Sequence, residues 1–203
     1  MLTVRRRQHH TRTADSVWHS DSTHKLMHWR LIASGCVDGH GRKTMWLKCS
    51  DNDRADTTCN CFSNAIEEHQ CPYQVRGDEG SENRKIAKCV IATRGEGMRD
   101  CIGGKSTRST RIERFWREHN VNVMKKFHDE FIQSEQLGCL DGTDDNDSWV
   151  LHQACLPVAN EKMNEFKACF NVHPLRSAQG KMPNQTHEVN FMNMHMVGAM
   201  LWC

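Results

Sequence analysis

The stretch CNCFSNAIEEHQC, Cys59 to Cys71, gathers three thiols and an imidazole in one short segment, and Cys49 stands just upstream. Thiolate sulfur and imidazole nitrogen are the donors that a tetrahedral zinc prefers, and four of them close a structural site. Cys49, Cys59, His69 and Cys71 are therefore the candidate metal ligands, with zinc as the cofactor. Their spacing departs from the usual knuckle. A single residue separates Cys59 from Cys61, and no C-x-x-C occurs anywhere in the chain. The competing reading is a set of buried thiols, which pack as small apolar groups and need no metal.

A second chemical hint lies in GEGMRDCIGGKST at 95–107. A phosphate loop needs G-x-x-x-x-G-K-[ST], so that backbone N–H groups and a lysine wrap the phosphates. Lys105 and Ser106 supply its end, and would sit on phosphate and on magnesium. Its first glycine should be residue 99, which is Arg99. The pair His24 and His28 has i, i+4 spacing, but position 25 is Lys25 where a metalloprotease helix needs glutamate. The acidic run DGTDDNDS at 141–148 fails as a calcium loop, because Asn146 stands where that loop requires glycine. Met192, Met194 and Met196 alternate, and suit a packed face better than a copper site.

Charge adds a candidate partner. The net charge of +2 is too balanced to make the whole chain a nucleic-acid binder. The N-terminal VRRRQHHTR, however, is locally basic, and Arg5, Arg6 and Arg7 are candidate phosphate contacts. No apolar run follows those arginines, and no stretch is long enough to span a bilayer. The expectation is an intracellular chain, cytoplasmic or nuclear, with no secretory signal, no membrane partner and eleven cysteines kept as thiols.

Positioning such groups requires a core, and the material for one is thin. Hydrophobic residues make up 37% of the chain, and its mean hydropathy is -0.72. The clearest periodicity runs over 110–136. Ile112, Phe115, Trp116, His119, Val123, Phe127 and Phe131 fall on one face of a 3.6-residue helix. Thr110 and Glu113 fit a capping box at its start, and Gly138 is a natural stop. Asn120 and Asn122 are weak helix formers and mark a break. Trp116 is expected to be buried, and Phe127→Ala to cost about 3–5 kcal/mol if its site is packed. Arg111, Glu118, Lys125 and Asp129 should form the wet face. A second helix fits 159–171, with Ala159, Met163, Phe166 and Phe170 on one face and Pro174 beyond. Strands are expected at 87–93 and at 187–197.

These readings give an α+β fold with a small sheet. They divide the chain into a Cys/His-rich segment, 1–75, stabilised by zinc, and a mainly helical domain, 84–203, joined through the polar RGDEGSEN at 76–83. Three functions follow. The first is a zinc-dependent module that binds nucleic acid or protein. The second is a nucleotide-binding enzyme with a degenerate phosphate loop. The third is a chain with no evolved function, which the flat residue usage suggests.

Overall fold

The computed structural model describes residues 11, 13–77, 81–94, 101–103 and 110–189. Three antiparallel strands come first: β1 (Trp18–Leu26), β2 (Leu31–Asp38) and β3 (Thr44–Ser50). A 3-10 turn at Met27–Trp29 joins β1 to β2, closed by Arg30 in the left-handed region. Helix α1 (Ala55–His69) then leads to the short β4 (Val75–Gly77), which pairs with β1 in parallel. Helix α2 (Ser81–Arg94) leads to β5 (Cys101–Gly103), parallel to β4. The sheet order is β3-β2-β1-β4-β5, so β1 is central. Helices α3 (Thr110–His119), α4 (Lys125–Gln136) and α5 (Asp145–Val172) follow. The architecture is α+β.

Side-chain alternation on the strands gives two cores, one on each face of the sheet. On one face, Leu31, Ala33 and Val37 of β2 and Leu47 and Cys49 of β3 meet Ile112, Phe115 and Trp116 of α3, and Ala159, Met163 and Phe170 of α5. On the other, Trp18 of β1 and Cys36 of β2 meet Cys61, Phe62 and Ala65 of α1, and Ile86 and Val90 of α2. Trp18, Trp46 and Phe62 pack edge to face there, an arrangement that favours aromatic quadrupoles.

The expected helix over 110–136 forms, and it changes character where the asparagines stand. A π-helical stretch, Asn120–Met124, joins α3 to α4, and Asn122 Nδ2 donates to the Glu118 carbonyl over 2.7 Å. The helix ends at Gln136, and Gly138 adopts φ +70°, which a glycine takes without strain. Trp116 is buried, whereas Phe127 is only partly so. Glu118, Lys125 and Asp129 are exposed as expected, but Arg111 is half-buried.

Other expectations need correction. Residues 87–93 are helical, inside α2, because Ile86 and Val90 lie one turn apart and reach the core together. Residues 183–189 are helical too, so 187–189 is not strand, and 190–197 lies outside the described residues. The second helix starts well before 159. Asp144 caps α5 by accepting from the Asn146 and Asp147 N–H groups at 2.8 and 3.0 Å, and Pro157 is carried inside. Among the described residues, no helix is long and apolar enough to cross a membrane.

Candidate active site

Asp21 sits in the middle of the central strand β1, half-buried, on the face covered by α3. Its partner across the β1–β2 ladder is Gly35. That glycine makes room for an indole. A Cβ at position 35 would lie 3.1 Å from Trp116 Cη2 and 3.3 Å from Leu47 Cδ1. Trp116 thus packs against β2, and its Nε1–H donates to Asp21 Oδ2 over 3.1 Å. The bond fixes one carboxylate oxygen and ties β1 to α3.

Glu113 lies three residues before Trp116 on α3, which makes the two neighbours along the helix surface. Its carboxylate is exposed. The helix bonded to Asp21 therefore also carries a second acid. A third acid follows in the sequence. His19 pairs with Arg76 in the parallel β1–β4 ladder; Asp21 stands two residues beyond His19, and Asp78 two beyond Arg76. Asp78 itself lies outside the described residues. Carboxylate oxygens are hard donors and suit magnesium or manganese rather than zinc.

The zinc assignment does not stand. Cys49 is buried on β3 between strand and α5, where Asn160 Oδ1 accepts from its backbone N–H. Burial pushes its thiol up to about 12, so it stays protonated and packs as an apolar group. Cys59, on α1, has its sulfur 3.0 Å from that of Cys89 on α2. His69 ends α1, and burial, then Lys43, lowers its imidazole to about 4. The Cys71 thiol contacts the Pro72 carbonyl. Among the described residues, Cys49, Cys59, His69 and Cys71 included, no three His, Cys, Asp or Glu side chains come together as a metal-holding group. Lys105 and Ser106 lie outside the described residues, as do Arg5, Arg6 and Arg7.

The fold is thus a mixed sheet whose central strand carries Asp21, bonded to the covering helix that also carries Glu113. The comparisons name the family. A model of the integrase core domain matches residues 9–199, and the chain belongs to that family. Three solved structures share the fold. The HTLV-2 integrase catalytic core domain in complex with magnesium is 15% identical, with a TM-score of 0.56, covering 88% of this chain and 99% of its own. A chain of the simian T-cell lymphotropic virus intasome, solved in complex with PP2A regulatory subunit B56 gamma, is 15% identical, with a TM-score of 0.54, covering 90% of this chain and 60% of its own. The BIV integrase catalytic core domain is 14% identical, with a TM-score of 0.52, covering 90% and 97%. No curated protein matches the chain in sequence. Family membership overturns the zinc module, the phosphate-loop enzyme and the chain without evolved function alike.

Sequence reasoning missed the acids. Glu113 fits a helix cap equally well, Asp78 falls in the polar segment 76–83, and no local pattern marks Asp21. The available signal was a carboxylate amid the polar alternation of WHSDSTHKL, a second just after QVRG, and a third on the strongest helix.

Proposed function

We propose that this chain is a divalent-metal-dependent polynucleotidyl transferase acting on DNA, with Asp21, Glu113 and Asp78 as the cation-holding carboxylates. The observation that carries this reading is the Asp21 carboxylate, bonded on the central strand by Trp116 of the helix that bears Glu113. Membership of the integrase core domain family supports it. Magnesium or manganese bound there would neutralise phosphate charge and activate the attacking oxygen.

The chain's own residues provide positioning. Trp116 donates a single N–H, which holds one Asp21 carboxylate oxygen in a fixed orientation. The indole, with Leu47 and Phe115, closes the floor to water and strengthens electrostatics above it. Glu113 stands exposed at the rim, where a phosphodiester can reach it. The partner is nucleic acid, and the setting is the intracellular compartment that holds DNA.

The test is an end-labelled DNA duplex incubated with the full chain and magnesium or manganese. Metal-dependent strand cleavage or joining is expected. Asp21→Asn and Glu113→Gln should each lower the rate on the order of a hundredfold. A folded parent chain that leaves every duplex intact in both metals would refute the reading, as would full activity in both variants.

A further inference from the structure

Helix α3 presents a second set of groups around its circumference from Glu113. A cavity of about 450 Å³ opens between the β2–β3 turn, α3 and the segment after α5. Arg42 enters it from the turn, Arg111, Arg114 and Glu118 from α3, and His173 and Arg176 from beyond α5. Four guanidinium groups thus share one pocket with one carboxylate. Like charges gathered in a partly buried place repel, and a bound anion offsets that repulsion.

The repulsion registers on the arginines. Arg42 is pushed down to about 10, first by burial and then by Arg111 and Arg114, with Glu118 opposing. Arg111 is lowered by burial and then by Arg114, with Asp38 opposing. Among the described residues, Arg114 and Arg176 enter no ion pair. The turn that brings Arg42 is built firmly. Arg42 adopts φ +63°, its N–H donates to the Asp38 carbonyl over 3.0 Å, and the buried Asp38 carboxylate accepts from the N–H groups of Asp15, His40 and Gly41.

We propose that the Arg42, Arg111, Arg114 and Arg176 pocket binds backbone phosphates of the strand that is processed at Asp21 and Glu113. This deepens the function proposed above and rests on it. The guanidinium fork matches phosphate oxygens two at a time, and four forks around an apolar floor can grip a diester without reading its base. Arg114 directly follows Glu113, turned roughly 100° around the helix. A helix with its side chains is about 10 Å across, and phosphates along one strand of a duplex advance about 3.4 Å each. Arg114, the pocket member next to Glu113, is therefore placed to take a phosphate within a few nucleotides of one at Glu113.

The test measures duplex affinity of the full chain by anisotropy across a potassium chloride series in EDTA, so that no cleavage intervenes. Arg114→Ala with Arg176→Ala removes two exposed charges. The expected result is an affinity at least about tenfold lower, and a plot of log affinity against log salt shallower by about two, one phosphate per arginine. Arg114→Lys with Arg176→Lys keeps the charge and should restore that slope, which separates lost charge from lost fold. An unchanged slope in the alanine pair overturns the proposal. So does inorganic tripolyphosphate binding that the alanine pair loses while its DNA slope stays intact, because the pocket would then serve a free anion. The two readings fail separately. A parent chain that binds with the full slope and never cleaves keeps the pocket and sinks the transferase; cleavage with an unaltered slope in the alanine pair does the reverse.

Discussion

At Gly35 a single missing methyl group sets the relation between a strand and the helix above it. Trp116 occupies the space, with Cη2 at 3.1 Å and Cζ2 at 3.3 Å from where a Cβ would stand, and its N–H reaches Asp21. Gly35→Ala should therefore tilt the indole and stretch that bond. We expect a loss of about 1–3 kcal/mol in urea unfolding and a fall in DNA cleavage beyond what stability explains; wild-type cleavage in a variant of lowered stability would show that the Asp21 orientation does not matter. Trp116 was legible in the sequence, since the period of 110–136 buries it, and it is 6% exposed. Phe127 was over-read: it is only partly buried and lines a surface groove, so its truncation should cost about 1–2 kcal/mol rather than the value for a sealed core. The proposed acids were illegible because residues from separate elements, such as Asp21 on β1 and Glu113 on α3, have no local spacing. Glu113 satisfies a capping pattern equally well, and nothing in WHSDSTHKL distinguishes Asp21 from a solvated strand position.

Elements show the same division. Periodicity found the helix around α3 and α4, and two asparagines marked the place where it turns π-helical. The acids at 141–148 fail as a calcium loop and instead begin α5: Asp144 caps it, and Asp145 and Asp147 face the positive end of its dipole. Asp144→Ala should cost about 1 kcal/mol of stability, read as a shifted urea midpoint with unchanged slope; no shift would mean that tertiary packing alone starts the helix. The short apolar run 87–93 was ambiguous in kind, because a strand and a buried helix turn look alike over so few residues. Its neighbour α1 provides a chemical check on the pairing of these two helices. Cys59 Sγ lies 3.0 Å from Cys89 Sγ, and its thiol is raised to about 11, by burial first and then by Cys89. Thiolate is the oxidisable form, so the pair should resist air at pH 7 but be joined by a thiol oxidant such as diamide. Peptide mapping should then recover a Cys59–Cys89 disulfide; other pairings in the folded protein would mean that α1 and α2 meet differently.

Across the whole molecule, the α+β class was visible in the sequence while the sheet was hidden. Strands β1 to β3 fall in the Cys/His-rich third, where polar residues such as His19, Ser20 and Thr23 are buried and disguise the alternation that marks a strand. The same habit of burying histidine gives the molecule an acid limit. His119 is fully buried between α3 and α5, stacked on Phe115 at 6.1 Å and edge-on to Phe166 at 5.2 Å. Burial lowers its imidazole from 6.5 to about 4. The folded protein thus keeps this ring neutral over a range where the unfolded chain protonates it. Its contribution is fully present above pH 6.5 and is lost as pH falls from there through about 4, for a total of roughly 3 kcal/mol. His69, lowered to about 4 chiefly by burial, acts in the same direction and sharpens the decline. Replacing His119 by leucine keeps an apolar side chain of similar volume among Phe115, Phe166 and Trp116 and removes the proton. Urea midpoints measured at steps between pH 7 and pH 4 should fall less steeply for His119→Leu than for the parent, the curves converging toward the alkaline end if packing is conserved. Parallel curves would show that the proton enters elsewhere. Because Trp116 is edge-on to this ring at 5.4 Å and bonded to Asp21, protonation of His119 disturbs the residue that orients the candidate site. Cleavage activity should therefore decline over the same acid range in the parent, and persist to lower pH in His119→Leu.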